Sequence, residues 1–405
     1  MEKMKIVILG PTHKSFIKGF LSGISFSSLP DGFFGAPFLG NIIESLLKKG
    51  HSVVSITTTL AIDNDYEVKE YESGSFKWVV VPYRPKSFRA NGNKRGRILD
   101  LYSYERNALK KEAIKQNADF IHAHWSYEYA GALVGVNIPH LVTIHDNPYL
   151  VLKFVRTPFR LGLILLSELV LRKMRFASTV SPYMLKYAER KCQIVKVIPN
   201  PTLLSLTKTE VLQLISQKIQ SIESPVISMV MNGWDKRKNG DAGLAAFKNI
   251  HKRFPKATFH IFGKGAEIDS PAYCSLSSLD RLNITFHGSV EHTVLKSHLK
   301  STHLLLHPSL EESFGVVLIE AMALGVPVVG GDASGAVPWV INSQELLVDL
   351  NEPGSLERKA ISILEDTNSY IKYGESCFEN TRDRFSPAAI VNDYETYYKE
   401  IMNQW

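Results

Sequence analysis

Cysteine is scarce. Cys192, Cys274 and Cys377 are the only three in 405 residues, far apart and odd in number. That argues against a disulfide framework or a cysteine-bound zinc, and it fits a reducing cytosol. Long apolar runs are missing as well. The N-terminal run, residues 6–9, has four apolar residues before Gly10 and reads as a first strand rather than a signal peptide. The longest, residues 161–171, contains eleven residues with Glu168 among them, too short to span a bilayer. There is no short-period repeat and no low-complexity tract. The first strand runs into "GPTHKSF" instead of Gly-x-Gly-x-x-Gly, which speaks against a dinucleotide-dependent oxidoreductase. RNA-binding aromatic motifs are also absent, so nucleic acid is not expected as a partner.

What is present is enough for two globular domains. The chain is too long for one ordinary core, with 44% hydrophobic and 21% charged residues. The net charge of +7 is unevenly placed. Residues 1–200 carry 28 Lys+Arg against 16 Asp+Glu, and residues 201–405 carry 19 against 24. A basic first half suits an anionic lipid surface or a phosphate-bearing ligand, or is a solvated basic face.

Short β-branched or apolar segments alternate with helical patterns. Strands are expected at 5–10, 51–59, 119–125, 140–146, 177–181 and 194–200. A glycine-rich stretch, 31–40, leads into a helix expected over 41–50. After a break near 199–209, strands are expected again at 226–234, 257–265, 283–290, 303–309 and 327–332. This is the pattern of two Rossmann-like, doubly wound α/β domains in tandem, 1–203 and 204–385. A final aromatic-rich helix at 386–405 is expected to pack back on the first domain. Ligands of such sheets bind beyond the carboxyl ends of the strands, so the polar residues there are the ones to weigh.

The densest chemistry lies in "EESFGVVLIEAMALGVPVVGGD", residues 311–332. Glu320 is the single charge between Val316 and Val326, and Glu312 precedes it by eight positions. Gly315 permits close backbone approach at a helix start, where free N–H groups and the dipole suit a phosphate. Glu320, one to two turns in, can accept both hydroxyls of a cis-diol such as a ribose. The alternative is that it reaches solvent or pairs with a lysine, because an unpaired buried charge is unfavourable. In the first half, "DFIHAHW" and "TIHD" end neighbouring strands with His124 and His145, candidates for acid–base work or for a structural role.

The segment "HPSLEESFGVVLIEAMALGVPVV" closely resembles the Glu-x7-Glu signature of glycosyltransferase family 4, retaining enzymes of the GT-B fold. The resemblance implies two Rossmann-like domains facing a central cleft and a nucleotide diphosphate-sugar donor held by the second. Glu312 falls on the first glutamate and Glu320 on the second. Glu320 would then hold the donor ribose. Glu312 and the backbone of Phe314, Gly315, Val316 and Val317 would hold the donor sugar and diphosphate. "NGWDKRKNG" resembles the family's phosphate-clamping element: Lys238 fits its lysine, but Trp234 stands where its arginine belongs. Lys236, Arg237 or no residue at all is left as the second cation. The strand-end loops at Gly263 and His287 resemble those around the nucleotide base, with His287 equally open to a structural reading. "DASGAVPWVI" resembles another family element, with Trp339 where a glutamate is common.

On the first domain, the resemblance gives Gly35 the close approach to the donor phosphate, and His124 and His145 the sugar and acceptor side. Asp63 and Asp65 form an Asp-x-Asp pair, but in a polar loop, and no metal or other cofactor is expected. The acceptor implied is a hydroxyl of a glycan or polyprenyl-linked glycan in surface polysaccharide synthesis. Arg84, Arg89 and Arg95, in a glycine-containing loop at 83–97, are candidates for its pyrophosphate. The arginine-flanked apolar stretch 154–176 is a core helix with a basic rim or a surface for anionic membrane. The expected location is the cytoplasmic face of the cell membrane.

Overall fold

The computed structural model describes residues 3–60 and 67–405. The chain divides into two compact units: Met1–Pro201 with Pro387–Trp405, and Thr202–Ser386.

The first unit is built on an eight-stranded sheet. Its strands are β1 (Lys5–Leu9), β2 (Ser52–Thr59), β3 (Lys69–Ser73), β4 (Phe76–Pro82), β5 (Phe120–His124), β6 (His140–Ile144), β7 (Phe176–Thr179) and β8 (Ile194–Val197). The order is β3-β4-β2-β1-β5-β6-β7-β8. All neighbours are parallel except the β3–β4 hairpin. β1 and β5 are adjacent at the point where the strand order reverses, which places Gly10 and His124 at the topological switch. β1 and β5–β7 are almost wholly buried because helices cover both faces, hence their near-continuous apolar runs.

The helix Pro387–Asn403 belongs to this unit. It buries Tyr394, Tyr397 and Tyr398 against the sheet. Each phenol finds a polar partner there, as buried tyrosines require. Tyr398 Oη lies 2.7 Å from His122 Nδ1, and Tyr397 Oη donates to the Ala177 carbonyl at 3.1 Å. Glu395, fully buried, is held by His51 at 2.7 Å and Lys49 at 2.5 Å.

The second unit has a six-stranded, all-parallel sheet: β9 (Val226–Val230), β10 (Thr258–Phe262), β11 (Ile284–Gly288), β12 (Leu304–His307), β13 (Val328–Gly331) and β14 (Leu347–Val348). Its order is β11-β10-β9-β12-β13-β14, so the reversal lies between β9 and β12. The loops after those two strands carry Lys238 and Glu312.

Several local expectations need correction. The helix placed at 41–50 is Pro37–Lys48, because Pro37 at its first turn supplies the fixed φ a helix start favours. The stretch 154–176 is not one helix. Pro148–Phe154 and Pro158–Leu171 are separate, with Thr157 capping the second through Arg160 N–H. The loop 83–97 is not free. Arg84 is 1% exposed and its guanidinium is bonded to Glu105 at 2.6 Å and Asp100 at 2.7 Å. Arg84 thus anchors the loop, whereas Arg89 and Arg95 are exposed. Asp63 and Asp65 lie outside the described residues.

Candidate active site

Two loops of the second unit are laced together where its sheet reverses. Asp235 Oδ1 accepts from the N–H groups of Arg237 and Lys238, at 2.9 and 3.0 Å, turning the chain after β9. Asn239 then takes a left-handed φ of 53° and opens the helix Gly240–Arg253. Across from it, Leu310 N–H donates to the Arg237 carbonyl at 2.7 Å, and Asn239 Nδ2 donates to the Pro308 carbonyl at 3.2 Å. The two loops therefore form one surface at the carboxyl ends of β9 and β12.

Two ion pairs run between those loops. Lys238 Nζ lies 2.5 Å from Glu312 Oε1, and Arg237 Nη1 lies 3.2 Å from Glu311 Oε2. The neighbouring glutamates differ sharply. Burial pushes Glu312 up, but Lys238 and His307, at 3.2 Å, outweigh it and hold the carboxyl well below the usual range. Burial also pushes Glu311 up, and there it prevails over the attraction of Arg237. Among the described residues, Glu311 Oε1 is buried with no hydrogen-bond partner. Glu312 is further tied by its carbonyl, which accepts from Ala336 N–H at 2.9 Å.

Gly315 has φ 86°, and a Cβ there would meet Leu318 Cδ1 at 2.8 Å. Only glycine makes this turn into the helix Val316–Met322, with Phe314 buried before it and Val316 and Val317 half-buried at its start. Phe314 packs edge-on to Trp339 at 6.3 Å, so the tryptophan at the family's glutamate position supports the motif loop. Glu320, 7% exposed, faces His292 Nε2 at 2.5 Å. Its burial speaks against the reading in which it reaches solvent, and its hydrogen-bonding neighbour is an imidazole rather than a lysine.

Trp234, where a cation was expected, stacks on Phe286 at 5.5 Å and donates from Nε1 to Asp241 at 3.0 Å. Lys236 is exposed, and Arg237 is joined to the motif loop beside Lys238. Gly263 turns the chain after β10. His287, exposed, stacks on Phe262 at 4.3 Å and lies 3.0 Å from His260 Nδ1.

In the first unit, His124 Nδ1 and His145 Nε2 are 3.0 Å apart. Trp125 stacks on His145 at 4.4 Å and adopts φ 69°, uncommon for a bulky residue. Burial, reinforced by the nearby His122 and His145 rings, holds His124 well below its ordinary range, and burial brings His145 down to about 3. Both imidazoles are therefore neutral at physiological pH, which suits hydrogen bonding to a hydroxyl better than cationic acid catalysis. Among the described residues, His124 Nε2 is buried without a hydrogen-bond partner. Gly35, with φ 146°, is exposed and open on its Cβ side.

The sequence reading missed His292 and His307, the imidazoles on Glu320 and Glu312. His307 ends β12, a place where strand-end polarity is a usable signal. His292 is the first residue of the helix His292–Ser301, and nothing local in "SVEHTVL" links it to a glutamate 28 positions on.

Comparison with known proteins bears on the fold and the family. The family described as "Glycosyltransferase Family 4" matches residues 37–204, and "Glycosyl transferases group 1" matches residues 213–384. The chain is 32% identical to N-acetyl-alpha-D-glucosaminyl L-malate synthase of Bacillus anthracis over 143 residues, 33% of this chain and 36% of that enzyme. It is 23% identical over 385 residues, 90% of this chain, to an uncharacterized glycosyltransferase of Methanocaldococcus jannaschii, of which 96% is covered. The fold is shared with sucrose-phosphate synthase from Thermosynechococcus elongatus, with TM-score 0.73, 19% identity and full coverage of both chains. With the two matched regions in tandem and a GT-B-type α/β fold, the chain belongs to the group 1, family 4 glycosyltransferases.

Proposed function

We propose that this glycosyltransferase is a retaining, metal-independent enzyme that moves a sugar from a nucleotide diphosphate-sugar to a hydroxyl of a glycan or lipid-linked glycan. The observation that carries this reading is the laced pair of loops at the β9/β12 switch, with Lys238 and Arg237 beside Glu312 and Glu311. Two cations there can balance a departing diphosphate, the task a divalent metal performs in other designs. Glu320 takes the ribose hydroxyls, and the N–H groups of Phe314–Val317 meet the diphosphate. Gly263 and His287 border the base. Glu312, ionised and fixed, accepts from hydroxyls of the donor sugar.

The acceptor side is assigned to the first unit, with the neutral His124–His145 pair as hydrogen-bonding partners. The acceptor oxygen attacks C1 from the face the diphosphate leaves. The C1–O bond breaks with both electrons going to the diphosphate, and a phosphate oxygen takes the acceptor proton. Stereochemistry checks this step. Proton NMR of the product, formed with EDTA present, should show the donor's own anomeric configuration, and inversion would overturn the retaining assignment.

A role in surface polysaccharide synthesis at the cytoplasmic face of the membrane is part of the same proposal. In the helix Pro158–Leu171, Leu161, Leu165 and Leu169 are 57%, 52% and 52% exposed, at successive i, i+4 positions. Arg156, Arg172 and Lys173 flank the stripe in exposed positions. An apolar stripe with a cationic border suits shallow insertion into anionic lipid. No helix among the described residues is long and apolar enough to cross a membrane. The protein is expected to co-sediment with phosphatidylglycerol vesicles, and Leu165→Glu to release it. Equal sedimentation of the variant would remove the helix from the lipid contact.

A further inference from the structure

We propose that His292 is a positioning residue that orients the Glu320 carboxylate for the donor ribose. The inference rests on the donor reading above and adds a residue to it. Glu320 is 7% exposed, within a helix whose Leu318, Ile319, Ala321 and Met322 are all buried. A carboxylate in such surroundings needs a donor. Among the described residues, the one supplied is His292 Nε2, 2.5 Å from Oε1. An ionised carboxylate only accepts, so the proton in this contact lies on the imidazole. Lys296, one turn later on the same helix, adds a second attraction to the Glu320 charge.

The contact joins two elements that the sheet order keeps apart. The helix His292–Ser301 follows β11 at the sheet edge, whereas the helix Val316–Met322 follows the central strand β12. His292 occupies Oε1 and fixes the plane of the carboxylate, leaving Oε2 to accept from the diol. A carboxylate that must accept two hydroxyls gains most from being fixed beforehand, since the ordering cost is then met in the free protein. A purely charge-balancing imidazole would support folding but would not affect the distinction between a ribose and a sugar lacking its hydroxyls.

That difference gives the test. Calorimetry would measure the affinity of UDP, GDP or ADP, whichever binds wild-type protein most tightly, and of its 2′,3′-dideoxy form. His292→Phe keeps the ring and removes the donor. It is expected to lower ribonucleotide affinity by about tenfold and leave dideoxy affinity unchanged, so that the ribo/dideoxy ratio collapses. His292→Asn, polar but too short to reach, should behave alike and serves if the phenylalanine variant fails to fold. An unchanged ratio in a folded variant overturns the proposal, whether both affinities hold or both fall equally. Glu320→Ala separates the two levels. If it leaves the wild-type ratio intact, the ribose reading itself fails. If it collapses the ratio and the His292 variants do not, only the role of His292 is lost.

Discussion

Glu312→Ala is expected to reduce sugar transfer by about a thousandfold while changing nucleoside diphosphate affinity by no more than about threefold. The asymmetry follows from what the carboxylate does. Its Oε1 is fixed by Lys238 at 2.5 Å, with His307 Nε2 3.2 Å away, so it is a preformed acceptor for sugar hydroxyls whose polarity changes as C1 loses its phosphate. The diphosphate itself is met by cations and backbone N–H groups, which remain. Single-turnover transfer alongside calorimetric titration separates the two effects, and equal losses in both would show that Glu312 does not act on the sugar.

The same substitution has a pH signature. The folded carboxyl is held well below its ordinary 4.5, so its contribution to stability is complete above that value and is lost as pH falls toward the lower folded one. The alanine variant lacks that contribution. Thermal denaturation should find the two proteins furthest apart at neutral pH and closer on acidification.

Lys238→Met should weaken nucleoside diphosphate binding by about a hundredfold and nucleoside monophosphate binding far less. Methionine preserves much of the length and apolar stem, so the change isolates the charge. Lys238 is buried, and its ammonium meets only Glu312 among the hydrogen bonds its side chain donates. A cation in that setting attracts a diphosphate more strongly than an exposed lysine would, because less water screens it. Glu312 keeps the His307 imidazole 3.2 Å away in the variant, which limits the damage to folding. Similar losses for mono- and diphosphate would indicate a general collapse of the loop.

Much of the fold is legible in the sequence because parallel strands buried on both faces leave unbroken apolar runs, as in β5, β6, β9 and β12. The hairpin strand β3, "KEYES", leaves none: it is an exposed edge strand built mostly of charged and polar residues. The motif glutamates are visible by spacing alone, but their partners are not. Lys238 and Glu312 are 74 positions apart, and His292 and Glu320 are 28 apart. Both contacts depend on how loops after different strands meet. Arg84 illustrates the reverse. In a run of cations it reads as an open anion site, yet its carboxylate partners, Asp100 and Glu105, lie 16 and 21 positions downstream and close around it. Trp234 is a departure from the family element that sequence can detect without explaining. Its indole lies against Phe286 and Asp241, and the cation facing the motif loop comes from Arg237 three positions later.

The most direct test of the donor site is a calorimetric titration in EDTA with a matched nucleoside diphosphate and monophosphate, using the uridine, guanosine and adenosine series and NAD. At least one diphosphate should bind without added metal and markedly more tightly than its monophosphate. Binding of NAD alone, or of a diphosphate only after a divalent metal is restored, would contradict a metal-independent diphosphate site at Lys238 and Arg237.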